Sequence, residues 1–139
     1  MIHSSKGIIQ YDPYRPGLKK KKDWWCVLNI DADITRYYRW WAFKEMGVEL
    51  NKPSWGSHVS IIRGEKPFPN NMDLWKKYNG LEVEFTYSSN VRQAGDRTGL
   101  SVPSPFWFID VECDFLIDIR KEMGFPYDYG LHLTIGRTS

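Results

Sequence analysis

The chain spells one nine-residue pattern twice. Trp55-Gly56-Ser57-His58-Val59-Ser60-Ile61-Ile62-Arg63 and Tyr129-Gly130-Leu131-His132-Leu133-Thr134-Ile135-Gly136-Arg137 both read aromatic, Gly, any residue, His, aliphatic, hydroxyl, Ile, any residue, Arg. Recurrence of that length in a small protein marks an internal duplication, which constrains a fold more than local propensity does. The likeness extends upstream, where Lys44-Glu45-Met46-Gly47 precedes the first copy and Lys121-Glu122-Met123-Gly124 the second. Before each lies a helix-like segment, and before each helix an apolar, aromatic run, Trp24 to Ile30 and Phe106 to Val111. The chain thus reads as an α+β protein built from two pseudo-symmetric strand-helix-strand halves, about 24–64 and 106–137. A pseudo-twofold axis between them brings equivalent residues face to face.

Side chains alternate along a strand, so His58, Ser60 and Ile62 share one face while Val59, Ile61 and Arg63 share the other. By the same rule His132, Thr134 and Gly136 go together. Each half offers an imidazole beside a hydroxyl. Arg63 and Arg137 fall on the opposite face unless the strand ends or bulges before them.

With 139 residues, 42% of them apolar and 16% aromatic, the chain suits one domain with a real core and not a disordered segment. A formal charge of +2 sets up no global field that demands nucleic acid, though a local basic cluster suffices for a small anion. Cys26 and Cys113 end apolar runs and lack paired-ligand spacing, which predicts buried reduced thiols in a reducing compartment. No apolar run reaches transmembrane length, and the N-terminus lacks the apolar stretch of a signal peptide. A soluble, cytoplasmic protein is expected, with no membrane association and no obligatory protein partner.

Residues 1–22 read as an N-terminal arm ahead of a single domain at 23–139. Met1 to Gln10, including His3, has the composition of a mobile terminus. Tyr11-Asp12-Pro13-Tyr14-Arg15-Pro16-Gly17 is extended by its prolines, either packed against the body or serving as a lid whose tyrosine stacks on a ligand base. Lys19 to Lys22 form a cationic run, read as a solvated end or a phosphate contact. Trp24 to Ile30 predicts a central strand. Asp31 or Asp33 caps a helix over about Ile34 to Met46, with Ile34, Tyr37, Tyr38 and Trp41 inward and Gly47 at its end. Asn70 or Asn71 caps a short helix carrying Leu74, Trp75 and Tyr78. Next comes a strand with Val83, Phe85 and Tyr87 on one face, then a polar hairpin returning through Leu100 to Val102. In the second half Asp114 caps a helix with Phe115, Leu116, Ile119 and Met123 at core spacing, closed by Gly124.

Metal-free cleavage of a phosphodiester needs one group to take the nucleophile's proton and another to protonate the departing oxygen. Imidazole suits both tasks because it titrates near neutrality. Two histidines flanking one cleft supply the pair, and each neighbouring hydroxyl can donate to a phosphoryl oxygen as charge builds there. Two histidines without adjacent Cys or a matched carboxylate fall short of a metal site.

Paired His-x-Ser/Thr strands in two halves of a small αβ domain resemble the 2H phosphoesterase superfamily. That resemblance implies a bilobal fold with a central groove and cofactor-free action on cyclic phosphates or on 2′,5′ or 3′,5′ linkages of RNA and oligonucleotides. It implies catalytic His58 and His132, with Ser60 and Thr134 binding phosphate. The short chain is similar to phage anti-CBASS enzymes, which destroy cyclic oligonucleotide signals in the host cytoplasm and sandwich a base between aromatic residues. Tyr11, Tyr14, Trp75 and Trp107 are the candidates for that task. A cyclic oligonucleotide phosphodiesterase, an enzyme of RNA 2′,3′-cyclic ends or 2′,5′-oligoadenylate, and a non-enzymatic nucleotide sponge are the three readings.

Overall fold

In the computed structural model, which describes residues 2–13, 23–53, 56–94 and 105–138, the chain is mixed α+β and mostly strand. Its elements are β1 (Ile2–Tyr11), β2 (Trp25–Ile30), α1 (Ala32–Met46), β3 (His58–Arg63), a 3₁₀ helix (Pro69–Leu74), β4 (Glu82–Ser88), β5 (Arg92–Ala94), β6 (Phe106–Glu112), α2 (Asp114–Met123) and β7 (His132–Arg137). The strands pair antiparallel in the order β4-β1-β2-β3-β7-β6-β5, and β4 also pairs with β6 through Thr86↔Glu112 and Tyr87↔Val111. Six strands therefore close into a barrel, with β5 attached to β6. The expected pair of lobes is instead one body. Leu28 and Val59 of the first half share a single apolar cluster with Ile109 and Leu133 of the second.

Duplication is visible in the strand registers. Trp25↔Arg63, Cys26↔Ile62, Val27↔Ser60, Leu28↔Val59 and Asn29↔His58 have one-for-one counterparts in Phe106↔Arg137, Trp107↔Gly136, Phe108↔Thr134, Ile109↔Leu133 and Asp110↔His132. Both ladders skip one residue at the same place, Ile61 in β3 and Ile135 in β7. Such a β-bulge lets two successive residues point inward and inverts the alternation beyond it. Ile61 with Ile62, and Ile135 with Gly136, are accordingly all buried.

A bulge also takes backbone groups out of the ladder, and buried ones need another partner. Arg120 of α2 donates to the Ile61 carbonyl at 2.9 Å, and Arg39 of α1 donates to the Ile135 carbonyl at 3.0 Å. The service is crossed: α1 packs against β7 and α2 against β3, so each helix supports the histidine strand of the other half.

That demand sets the helix phases. Asp31 caps α1 by accepting from the Asp33 amide at 2.9 Å, and Gly47 ends it at φ +66°. Thr35, Tyr38 and Ala42 are buried, whereas Tyr37, expected inward, is 53% exposed. The inward stripe is turned toward Thr35 and Arg39, which bond Ser57 and Ile135. On α2 the expected Leu116, Ile119 and Met123 are buried, Phe115 faces outward, and the N-cap is Cys113 instead of Asp114.

The expected N-terminal arm is corrected over most of its length. Residues Ile2–Tyr11 form β1, seated between β2 and β4. Its inward residues include Ser5 and Gly7, and Ile2 and Ile8 face out, so its apolar pattern is too weak to announce a strand. Gly7 is small because a Cβ there would meet the Asn29 carbonyl at 2.6 Å. Tyr14, the Lys19 to Lys22 run and the return strand at Leu100 to Val102 lie outside the described residues. Neither Asn70 nor Asn71 caps the 3₁₀ helix, and Asn71 donates instead to the Met123 carbonyl at 2.9 Å. In β4, Val83 and Phe85 are inward as predicted, with Glu82 and Glu84 outward. Cys26 is buried, which pushes its thiol up to about 12, while Cys113 is only half-buried. Among the described residues no helix is long and apolar enough to cross a membrane.

Candidate active site

Strands β3 and β7 run side by side through one bridging pair, Val59↔Leu133. Extending that antiparallel register places His58 across from Thr134 and Ser60 across from His132. The two histidines are then diagonal neighbours, whose Cα atoms are typically about 7–8 Å apart. A groove on the face opposite the core is lined by Trp25, Pro53, His58, Ser60, Arg63, His132, Thr134 and Arg137. All four residues expected to do chemistry come together there.

Arg63 and Arg137 come with them, against simple alternation. The bulges at Ile61 and Ile135 return both arginines to the histidine face. Each guanidinium carbon then lies over the aromatic ring of its cross-strand neighbour: Arg63 over Trp25 at 6.0 Å, and Arg137 over Phe106 at 5.0 Å.

Several contacts position His58. Ser57 before it is buried, shares a hydroxyl bond of 2.7 Å with Thr35, and accepts from the Ile30 amide through its carbonyl. Nδ1 of His58 lies 3.1 Å from the Gly56 carbonyl. A carbonyl only accepts, so Nδ1 carries hydrogen, and in the neutral ring Nε2 holds the lone pair. Trp25 meets the imidazole edge-on at 5.6 Å and donates Nε1–H to Ser60 Oγ at 3.2 Å. That donation fills one acceptor position on the hydroxyl and leaves its own hydrogen for a ligand.

His132 is exposed and held by rings, with Phe108 at 5.4 Å and Phe106 at 6.4 Å. Its cross-strand partner is Asp110, where His58 has Asn29. The Asp110 carboxylate accepts from Arg92 at 2.8 Å.

The proposed stacking residues are not in this groove. Tyr11 is buried against Trp75 at 4.9 Å, and Trp75 bonds Asp12 and stacks edge-on against Trp24. Trp107 packs against the core, one position out of phase with Phe106 and Phe108, which flank His132. Tyr14 lies outside the described residues. Sequence reasoning therefore missed Trp25, Phe106, Phe108 and both arginines. The recurrence of Arg five residues after each His was the available signal, and the Ile61-Ile62 pair hinted at the bulge that gives it meaning. Among the described residues no group of three His, Cys, Asp or Glu side chains is placed to hold a metal ion. No family model matches the chain, and no curated protein or solved structure matches it.

Proposed function

We propose that this chain is a metal-independent phosphodiesterase that cleaves 3′,5′ linkages of cyclic oligonucleotides, with a site organised as in 2H phosphoesterases. One observation carries the reading: both histidines and both adjacent hydroxyls line a single groove. A phosphate seated over Val59 and Leu133 has an imidazole on either flank. His58, with hydrogen on Nδ1, takes the ribose 2′-OH proton on Nε2. The 2′-oxygen attacks the adjacent phosphorus as the bond to the 5′-oxygen breaks, and His132 delivers a proton to that leaving oxygen. The products are an opened chain with a 2′,3′-cyclic phosphate at one end and a 5′-hydroxyl at the other. Ser60 and Thr134 donate to the non-bridging oxygens as charge grows on them. Removal of cyclic oligonucleotide defence signals, as by phage counter-defence enzymes, is the biological role this activity implies.

Steady-state turnover of cyclic di- and trinucleotides, RNA 2′,3′-cyclic ends and 2′,5′-oligoadenylate tests the reading. His58→Ala and His132→Ala are each expected to lose about 10²–10⁴-fold in kcat while still binding ligand. A 5′-thio leaving group needs no proton, since thiols ionise near pH 8.5, and should rescue His132→Ala but not His58→Ala. Full turnover in both histidine variants defeats the proposal. Ligand bound and recovered intact by the unaltered protein makes it a sponge.

A further inference from the structure

The two arginines bear on which substrates the groove accepts, an inference that rests on the phosphodiesterase reading above. Arg63 lies two ladder steps beyond Ser60, and Arg137 two beyond Thr134, in opposite directions because β3 and β7 are antiparallel. With the histidine–hydroxyl pairs between them, the arginine Cα positions are separated by roughly six strand steps, or about 20 Å of contour at ~3.4 Å each. Each guanidinium stays over the ring directly across from it, Trp25 or Phe106. They therefore sit at the two ends of the row of catalytic groups.

Charge points the same way. A phosphodiester bears one negative charge, whereas the groove presents two permanent guanidiniums, and the nearby Asp110 is already paired with Arg92. One phosphate at the centre leaves cationic capacity unused. We propose that the groove selects oligonucleotides presenting at least one further phosphodiester beside the scissile one, held by Arg63 or Arg137. The pseudo-twofold relation makes the two end seats alike, so a cyclic dinucleotide finds one in either orientation. A mononucleotide 2′,3′-cyclic phosphate has nothing to place there.

The test compares kcat/KM for a cyclic dinucleotide and a 2′,3′-cyclic mononucleotide across the unaltered protein, Arg63→Gln, Arg137→Gln and the double variant, each checked for folding by thermal melting. The dinucleotide-to-mononucleotide ratio should fall by about tenfold in each single variant and further in the double. The loss should fall mainly in KM, and the slope of log affinity against log salt should shrink by about one per arginine removed. Equal losses on both substrates overturn the inference, because they place the arginines on the scissile phosphate. An unchanged ratio also overturns it, as does failure of the unaltered protein to bind the dinucleotide. If the protein binds but turns over neither compound, the phosphodiesterase reading falls. Arginine-dependent dinucleotide binding by fluorescence anisotropy would still support the two end seats.

Discussion

Arg120→Met is the substitution that probes most directly how the active-site strand is held. Arg120 is 2% exposed. It donates to the Ile61 carbonyl at 2.9 Å and the Pro126 carbonyl at 2.7 Å, grips both Glu65 oxygens at 2.7 and 2.8 Å, and lies 4.0 Å from the Tyr129 ring centre. Methionine keeps the apolar stem and removes every donor. Two carbonyls lose their partner, at about 1–3 kcal/mol each. Glu65 keeps 31% of its side chain in water and rehydrates, so its loss adds only about 1 kcal/mol. A net cost of about 3–5 kcal/mol follows, in the range for breaking a buried charged pair from one side. Urea unfolding at neutral pH measures it, and Glu65→Gln gives the smaller companion value. The Arg120 hydrogen bonds hold the Glu65 carboxyl below its usual range. A depressed carboxyl stabilises the fold above its unfolded pKa, and the contribution drains away as pH falls through the folded value. The gap between the unaltered protein and Arg120→Met should therefore narrow in acid. A cost under about 1 kcal/mol, or a gap that widens as pH falls, would refute the reasoning.

Two further substitutions test the groove's frame. Gly136→Ala puts a Cβ 2.6 Å from the Asn51 carbonyl and 2.9 Å from Leu50 Cβ, so the β7 bulge or the 50–51 loop must move. Thermal or urea melting should show a loss of about 1–3 kcal/mol, the usual cost of overpacking, and a variant as stable as the parent would mean the contact is slack. Trp25→Phe keeps a ring beside His58 but deletes the donor to Ser60 Oγ. Loss of one neutral hydrogen bond is worth about 0.5–1.5 kcal/mol, which predicts a kcat reduced by about two- to tenfold. Ser60→Ala should abolish the difference between Trp and Phe at position 25, and a difference that survives would assign Trp25 another role.

The duplicated motif was legible because it combines residue type with spacing: His58, Ser60, His132 and Thr134 could be placed on one face from alternation alone. The strands β2, β3, β4, β6 and β7 were readable for the same reason, each having a clear apolar face or run. What failed was whatever depended on a change of phase. Strict period two sent Arg63 and Arg137 away from the site, and a single skipped residue in each ladder brings them back. Trp107 was chosen over Phe106 and Phe108 because bulk was visible and parity relative to His132 was not. β1 escaped notice because its inward face begins with Ser5 and Gly7, small residues that fit where neighbouring strands approach closely. Arg120 looked like a surface cation, since nothing local marks an arginine whose partners lie 55 and 59 residues away.

The two bulges join the misread residues to the crossed helices. A regular β3 would offer His58 and Ser60 to the groove but turn Arg63 inward, where an unpaired guanidinium is costly to bury. Skipping Ile61 removes that conflict and creates another, a displaced carbonyl that needs a donor. The donor comes from α2, and for the matching carbonyl of Ile135 it comes from α1. Arg39 and Arg120 stand at different distances from their closing glycines, Gly47 and Gly124, so the duplicated sequence does not dictate this match. The common requirement of the bulges does. Because each helix serves the opposite strand, neither half holds a complete site alone. The groove's pseudo-symmetry and the barrel's single core are then two consequences of one arrangement, in which the residues that shape the histidine strands are supplied across the axis.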